Sequence, residues 1–285
     1  MEIWRLIDSG KYDAAYNMAL DEAIATHVRR GRSQPTLRLY GWKNPSVSLG
    51  SFQKITDINS DYCAANDVRI VRRPTGGRAI LHGDELTYSF CSRNNNAFSH
   101  GLLETYRRLS TAFASALDML GLNVEMKTER ESGRELTRSP LCFRSASYGE
   151  ISIDAKKLVG SAQKRWIDGF LQQGSIPYSI DHEKLESVFM SDRAEETARF
   201  RADKLVGLRE LVPDFSHDGF RVGLIQSFER NFNITLVVSH PSVQEEELAR
   251  QLSSEKYLDP RWTMGAAANM RYCNSNGIPK RALQD

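Results

Sequence analysis

The sequence predicts an α+β fold. Segments that alternate apolar and polar residues are grouped within residues 36–92 and again within residues 149–179. Two long segments with helical spacing of apolar residues, residues 13–30 and 101–120, accompany these groups. Strands and helices do not alternate regularly, as they would in a doubly wound sheet, so the order favours helices packed beside a sheet.

The first half of the chain contains one long helix and several strands. Residues 13–30 predict the helix because Asp13 is a suitable N-cap and Gly31 follows its end. Residues 36–40 and 47–53 alternate like paired strands. A short helix is expected at residues 55–66 and a strand at residues 68–73. The strands AILH and ELTYSFCS follow, around a turn at Gly83 and Asp84.

The second half begins with the other long helix. Residues 101–120 keep helical spacing, and Gly121 suits the position after the C-cap. Residues 127–140 are polar and predict a mobile loop. The strands GEISID, KLVGSAQKRW and FLQQGSIPYS come next, the first two as a hairpin. Residues 182–210 predict helices and loops, and helices at 215–231 and 243–253 flank the strand ITLVVS.

Composition and charge exclude several classes of protein. The 285 residues include 38 basic and 36 acidic side chains, a net charge of +2, which gives no electrostatic reason to expect nucleic acid as a partner. No apolar run approaches the ~20 residues that span a bilayer. The N-terminus lacks the basic and apolar regions of a signal peptide. We therefore expect a cytoplasmic protein without a membrane partner.

The four cysteines are widely spaced. They are Cys63, Cys91, Cys142 and Cys273, and no CxxC pair occurs. A disulfide framework or a metal site is therefore not expected. In a reducing compartment, the relevant question is whether one of these cysteines is a reactive thiol.

The segment RRPTGGRAILH contains the first candidate site. Its glycines lie between two predicted strands, in what we call the GG turn, residues 74–77. A hairpin turn alone would explain a Gly-Gly pair. The turn is also bracketed by arginines and followed by a histidine, which suits a carboxylate, a phosphate or a polarised carbonyl. The candidate binding residues are Arg72, Arg73, Gly76, Gly77, Arg78 and His82.

The segment KKLVGSAQKR contains the second candidate site. A lysine on a strand is most often a solvated edge residue. The functional alternative is an ammonium group that stabilises negative charge developing on a carbonyl oxygen. The small residues Gly160, Ser161 and Ala162 would keep the wall of an adjacent slot thin.

Cys142 is the third candidate. An isolated cysteine is usually a small buried hydrophobe, and Cys63 in a short helix and Cys91 at a strand end fit that description. Cys142 follows a polar loop, precedes a strand and has Arg144 nearby, a setting in which a thiolate is exposed and electrostatically supported.

Together and in this order, these stretches resemble the family of lipoate–protein ligase A and the octanoyltransferases, which is related to the biotin protein ligases. The matching pieces are YNMALDEA, VSLGSFQ, RRPTGGRAILHGDELTYSF, KLVGSAQKR and LQQGSIP, which span most of residues 1–180. The resemblance implies an α+β, sheet-centred, biotin/lipoate protein ligase-like catalytic domain with flanking helices.

The resemblance also distinguishes activities within the family. Lipoate ligases usually show RRxxGGGA, whereas Arg78 stands here at the third glycine. The Cys142–Phe143 pair is similar to that of Gram-positive-type octanoyltransferases and their amidotransferase relatives. The resemblance therefore assigns Cys142 and Lys157 as catalytic residues, and not the neighbouring Lys156. Only a short tail follows Trp262, where many ligases have an accessory domain, and this again favours a transferase.

The implied reaction moves an octanoyl group from acyl carrier protein, through a cysteine thioester, to a lysine of a lipoyl-carrier protein. The acceptor would be an H-type glycine-cleavage protein or a 2-oxoacid dehydrogenase lipoyl domain. No cofactor is expected. The alternatives are a ligase that uses ATP and magnesium to form lipoyl-adenylate, an amidotransferase between lipoyl domains, and a non-catalytic binding module. We expect a catalytic domain over residues 1–262 and a loosely ordered C-terminal tail over residues 263–285.

Overall fold

The computed structural model describes residues 1–126, 150–189 and 204–265. Within these ranges the strands are β1 (Glu2–Tyr12), β2 (Thr36–Trp42), β3 (Ser46–Leu49), β4 (Arg69–Arg72), β5 (Ile80–His82), β6 (Glu85–Arg93), β7 (Glu125–Met126), β8 (Ile151–Ile153), β9 (Lys156–Arg165), β10 (Gly169–Pro177) and β11 (Ile234–Val238). They form an eight-stranded sheet in the order β11-β1-β2-β6-β10-β9-β8-β7 and a three-stranded sheet in the order β4-β3-β5. The larger sheet is mixed, since β1 pairs in parallel with β2 and β11 and the other neighbours are antiparallel.

The α-helices of the described residues pack around the two sheets. They are α1 (Ala14–Arg29), α2 (Ser60–Ala65), α3 (Gly101–Asp118), α4 (His182–Phe189), α5 (Leu208–Leu211), α6 (His217–Phe232), α7 (Val243–Leu252) and α8 (Pro260–Met264). The α+β class expected from the sequence is confirmed. None of the helices in these ranges combines the length and apolarity needed to cross a membrane.

The large sheet has two different faces, because successive side chains of a strand point to opposite sides. One face, which we call the α3 face, joins α3 and α6 in an apolar core whose members include Leu37, Leu39, Tyr88, Phe90, Leu109, Phe113 and Phe228. The opposite face, which we call the α1 face, meets α1 and the three-stranded sheet. Its residues from β2 and β6 are largely polar, including Arg38, Tyr40, Thr87 and Ser89.

Local sequence signals explain most of the elements. Asp13 caps α1, where its carboxylate accepts from the backbone N–H of Tyr16 at 2.9 Å. Gly121 follows α3 with a φ of 79°, as the glycine signal predicted. The turn between β8 and β9 has positive φ at both Asp154 and Ala155, the geometry of a tight hairpin. The predicted hairpin is therefore confirmed.

Two strands show the main differences from the sequence-based expectation. The strand expected at residues 47–53 ends at Leu49, because the chain turns at Gly50 to pack against the GG turn. The first strand, β1, was not anticipated. It is the second strand from one edge of the large sheet, held by parallel pairing to β2 and β11. Parallel partners distant in sequence leave no turn signal beside the strand, so the local pattern did not reveal it.

Candidate active site

A buried carboxylate organises the centre of the α1 face. Asp21 on α1 accepts hydrogen bonds on Oδ1 from Arg38 at 2.7 Å and Ser89 at 2.6 Å, and on Oδ2 from Tyr40 at 2.8 Å and Gln173 at 2.7 Å. Burial and the nearby Asp21 charge raise the pKa of Tyr40 well above its ordinary value. Four donors on one carboxylate compensate its removal from water and lock α1 onto β2, β6 and β10.

Gln173 connects this network to the GG turn. While its amide nitrogen donates to Asp21, its amide oxygen accepts from the hydroxyl of Thr75 at 2.9 Å. The chain at Gly50 packs closely against the outer side of the turn. A Cβ added to Gly50 would lie 1.8 Å from the carbonyl oxygen of Gly77. Gly50 therefore has to be glycine for the chain to pass the GG turn at this distance.

Arg72 and Arg73 are both buried, and both donate to main-chain carbonyl groups. Arg72 donates to the carbonyl oxygens of Gly50 and Gln53 at 2.7 Å and of Thr263 at 2.7 Å, and burial lowers its pKa. Arg73 donates to the carbonyl oxygens of Ser48, Gly76 and Arg78, each at 2.7 Å. In this structure the two arginines shape the GG turn and join it to α8. Arg78 and Gly76 are partly exposed and Gly77 is exposed, at the outside of the turn.

His82 lies in a second buried polar cluster on the α1 face. Its ring stacks on Trp42 with centroids 4.0 Å apart, and its two nitrogens are hydrogen-bonded to Glu85 and Ser48, each at 2.7 Å. Glu85 also accepts from Thr87 and from Ser175. Burial alone would raise the pKa of Glu85, but the His82 charge and these hydrogen bonds outweigh it and lower the pKa below its ordinary value of 4.5.

This lowered pKa predicts an acid-sensitive contribution to stability. A carboxyl group whose pKa is lower in the folded than in the unfolded protein stabilises the fold. This stabilisation is complete above the unfolded pKa of 4.5 and is lost as the pH falls through the folded pKa. Glu85→Gln should therefore destabilise the protein at neutral pH and reduce the further loss of stability below pH 4.5. Urea unfolding at both pH values measures the effect. Glu183→Gln, at an exposed position of α4, is the control, and an equal pH response in both variants would contradict the assignment.

A register shift determines which face Lys157 occupies. Ile151 pairs with Val159, whereas Ser152 pairs with Lys157, so β9 has one extra residue at this point. Ile151 and Val159 both belong to the core of the α3 face. Ser152 follows Ile151 and points the other way, so its partner Lys157 lies on the α1 face. Strict alternation would have placed Lys157 on the α3 face with Val159.

Lys157 is buried, with 6% of its surface exposed, and its ammonium group forms an ion pair with the buried carboxylate of Glu150. Lys156 is exposed and lies on the opposite face. The two lysines therefore lie on opposite faces, and their different roles stay a prediction. A buried ion pair of this kind holds the side chain in one orientation, whereas a solvated surface lysine rotates freely.

The small residues of β9 divide between the two faces. Gly160 pairs with Ser175 and Ala162 with Gln173, so both lie on the α1 face with Lys157. The hydroxyl of Ser161 instead meets the Tyr88 hydroxyl at 2.7 Å on the α3 face. Lys157, Gly160 and Ala162 therefore form a strip on the α1 face, and Ser161 is not part of it. The Ala162 end of the strip lies beside Gln173, which contacts Thr75 of the GG turn.

A cavity of about 280 Å³ opens near the Lys157 end of this strip. His82, Asp84, Glu85 and Leu205 are among its lining residues. Leu205 forms a backbone bridge to Lys157, which brings the cavity next to the lysine. Its size is close to the lower limit of small-molecule sites.

The structure describes two of the four cysteines. Cys63 and Cys91 are buried free thiols, and burial raises the pKa of Cys63 to about 11 and that of Cys91 further. Both are therefore poor nucleophiles. Cys142 and Cys273 lie outside the described residues. Among the residues that are described, no group of three histidine, cysteine or acidic side chains could hold a metal ion.

Sequence reasoning missed the residues that support the site. Asn17 and Asp21 lie in YNMALDEA, which was interpreted as a helix and a family match with no role for either residue. Polar residues four apart on an otherwise apolar helix face were the available signal, since one face of α1 is buried against the sheet. Asn17 accepts from Arg38 at 2.7 Å and donates to the carbonyl oxygen of Gly41 at 3.0 Å.

The sequence of the chain matches one known protein family. The model of the lipoyl protein ligase A/B catalytic domain matches residues 13–229. The chain belongs to this family. The matched region contains the GG turn, His82, Lys157 and the whole Asp21 network, so the site lies within the lipoyl protein ligase A/B catalytic domain.

Relatives in the family are similar over nearly their whole length. The octanoyltransferase LipM of Exiguobacterium sp. is 38% identical over 270 residues, covering 91% of this chain and 97% of its own. That of Kyrpidia tusciae is 38% identical over 271 residues, covering 92% and 98%.

Solved structures show the same fold. Lipoate-protein ligase A bound with ATP is 25% identical, with a TM-score of 0.77 over 93% of this chain and 99% of its own. A bipartite lipoate protein ligase from Thermoplasma acidophilum is 24% identical, with a TM-score of 0.79 over 93% and 97%.

Proposed function

We propose that this chain is an octanoyltransferase of lipoate assembly that passes an octanoyl group through a thioester on Cys142 to a lysine of a lipoyl-carrier protein. The main structural support is the buried Lys157, which the extra residue of β9 places on the α1 face, the face on which Gln173 contacts the GG turn. The octanoyltransferase relatives, similar over more than nine-tenths of both chains, support the same reaction.

In the first step, the Cys142 thiolate attacks the carbonyl carbon of an octanoyl thioester on acyl carrier protein. The carbon–sulfur bond to the carrier breaks, and the carrier thiolate leaves and takes up a proton. The ammonium group of Lys157 stabilises the oxyanion that forms between these events. Exchange between two thioesters is nearly balanced in free energy, so the step requires no ATP.

In the second step, the lysine of the lipoyl carrier attacks the octanoyl-enzyme as a neutral amine. An amide bond forms, the Cys142 sulfur leaves as a thiolate, and the amine gives up a proton. The amide is more stable than the thioester, so this step makes the overall reaction favourable. The cavity beside Lys157 and His82 is where we place the approaching arm of each carrier. A thiol nucleophile also suits the cytoplasm, where cysteines stay reduced.

The acyl chain would lie along the strip of Lys157, Gly160 and Ala162, under the GG turn. Gly160 and Ala162 present little or no side chain, which leaves room for a methylene chain against the strand. Burial of about seven methylene and methyl groups at ~0.8 kcal/mol each would contribute on the order of 5 kcal/mol to recognition.

An ATP-dependent ligase is the second candidate, favoured by the structural similarity to a lipoate-protein ligase A bound with ATP. Arg78 argues against it, because this side chain stands where the ligases usually have the third glycine of RRxxGGGA. A side chain at that position crowds a turn that would otherwise approach nucleotide phosphates through its backbone.

We expect octanoyl transfer to proceed without ATP or magnesium. Intact-mass measurement of the protein after incubation with octanoyl-acyl carrier protein and chelator should show one added octanoyl group. Addition of a lipoyl-carrier protein should then remove it. The control is free octanoate with ATP and magnesium, which should give no product. Product that forms only in the presence of ATP would reverse the assignment in favour of the ligase.

A further inference from the structure

The hairpin between β9 and β10 presents an apolar side chain at its tip. Ile167 is fully exposed, at 100% of its surface. The backbone N–H of Trp166 closes the turn by donating to the carbonyl oxygen of Gly169 at 2.8 Å. The amide nitrogen of Asn94 donates to the carbonyl oxygens of Trp166 and Ile167, at 2.7 and 3.2 Å. Ile167 is therefore displayed from a backbone that is held in place.

Arg29, the last residue of α1, lies across this hairpin. Its guanidinium group stacks on the ring of Trp166, 3.9 Å from the ring centroid, and its Nε donates to Asp168 at 2.7 Å. The chain must have glycine at position 169 for this, because a Cβ on Gly169 would lie 2.7 Å from Cγ of Arg29. The ammonium group of Lys164 lies 4.9 Å from the same ring centroid. Two cations therefore share one indole ring.

Further cations surround the tip. Arg93 pairs in register with Gly169, and its guanidinium group lies 3.5 Å from where a Cβ on Gly31 would be, beside the end of α1. We call this surface the hairpin patch, and it consists of Ile167, Arg29, Arg30, Arg32, Arg93 and Lys164. Within residues 1–126, 150–189 and 204–265, the only ion pair made by these cations is that of Arg29 with Asp168. The patch therefore has an excess of positive charge.

The charges around Lys164 are not balanced within the described part of the chain. Burial lowers the pKa of Lys164, the charge of Glu22 opposes this, and the charges of Lys256 and Arg29 lower the pKa further. Both carboxylate oxygens of Glu22 already accept from Lys256, at 2.8 and 2.7 Å. The whole chain has a net charge of only +2, so the excess is local. An anionic group on a partner would reduce the repulsion among these cations.

We propose that the hairpin patch is the docking surface for the donor, the acyl carrier protein. This inference rests on the proposed function, in which two carrier proteins visit the enzyme. The phosphopantetheine arm of the donor contains a phosphodiester, which is an anion, whereas the acceptor presents a lysine, which is a cation. The patch therefore favours the donor. The exposed Ile167 suits an apolar side chain on a protein surface, which the backbone of a nucleic acid does not offer.

The distance from the patch to Lys157 suits such an arm. Lys164 pairs with Leu171, two residues from Gln173, so Lys164 and Lys157 lie on the same face of β9. Seven positions separate the two lysines and the register shift absorbs one, a distance of about 20 Å at about 3.3 Å per residue. The arm has about 13 bonds between phosphorus and sulfur, an extended length of about 15 Å. The two lysine side chains cover the remainder.

Binding of the donor to the full chain, measured by calorimetry at two salt concentrations, tests the proposal. The probe is acyl carrier protein whose arm carries an octanoyl amide in place of the thioester. Arg30→Glu/Arg93→Glu, at two exposed positions, should weaken binding at least about tenfold and reduce its salt dependence. Ile167→Ala should weaken binding and leave the salt dependence unchanged.

Lys11→Glu/Lys43→Glu is the matched control. It makes the same change in net charge at two exposed positions near the opposite end of β2, and it should bind the probe like the wild type. Acylation by octanoyl-pantetheine, which lacks both the carrier protein and the phosphate, should be equal in the wild type and in Arg30→Glu/Arg93→Glu. Transfer from the octanoyl-enzyme to the lipoyl carrier should also be unchanged.

Three results would contradict the proposal. They are wild-type binding of the probe by Arg30→Glu/Arg93→Glu, an equal loss in the control variant, and an equal loss of binding to the acceptor carrier. Binding of the probe requires no chemistry. A wild-type protein that binds the probe through the patch but is not acylated by the thioester would therefore contradict the proposed function and support the docking surface.

Discussion

Replacement of Cys142 by alanine is expected to abolish acylation of the enzyme and transfer to the carrier without unfolding the chain. Direct attack by a carrier lysine on a carrier thioester would require two proteins to dock at once, and a covalent intermediate separates the two dockings. The intermediate must remain about as reactive as the donor, which a thioester does and a serine ester does not. Cys142→Ser should therefore be nearly as inactive as Cys142→Ala.

Peptide mapping after reaction with octanoyl-acyl carrier protein measures this result. Cys63→Ala and Cys91→Ala are matched controls, because both thiols are buried with raised pKa values and should not be the acylated residues. Both variants should still become acylated on Cys142. Label on Cys63, Cys91 or Cys273, or full turnover by Cys142→Ala, would exclude the thioester mechanism proposed for this site and give priority to the ligase.

Lys157→Ala should produce the second largest loss. Removal of one group that stabilises an oxyanion typically costs roughly 2.7–4 kcal/mol of transition-state stabilisation, or about 10² to 10³ in rate. Lys156→Ala should be nearly silent, because Lys156 is exposed on the opposite face. Single-turnover acylation from octanoyl-acyl carrier protein measures both rates, and equal losses would show that the face assignment is wrong.

The ion pair with Glu150 requires a further control. Loss of Lys157 removes the ammonium group that pairs with the buried carboxylate of Glu150, and breaking a buried ion pair by itself destabilises a protein. The double variant Lys157→Ala/Glu150→Gln removes that charge. It should recover thermal stability but not activity. If activity returned with stability, Lys157 would be a structural residue and not a catalytic one.

Features set by near neighbours in the chain were predictable. The cap at Asp13, the glycine after α3 and the tight turn before Lys156 each follow from residues within a few positions of one another. The α+β class followed from the order of such segments. A glycine within a strand is likewise a local signal of close approach, and a Cβ at Gly174 would lie 2.3 Å from the Tyr88 ring.

The composition of the site was only partly predictable. The motif arginines beside the GG turn suggested an anion-binding site, but Arg72 and Arg73 donate to carbonyl groups of residues 48–53, 76, 78 and 262–263. The sequence does not show whether an arginine donates its hydrogen bonds to a bound ligand or to a carbonyl group in a distant segment of the chain. The same limit applies to Asp21, whose four donors come from three strands.

The sequence by itself determined the local elements, the α+β class and the family, because helix spacing, caps, turns and motif residues act over short distances. The tertiary structure alone decided that β1 joins the sheet, that Lys157 lies on the α1 face and that Thr75 contacts Gln173. Each of these depends on pairing between segments far apart in the chain. A single extra residue in β9 reverses the face of every side chain before it, and that register is set by the packed core and not by the local pattern.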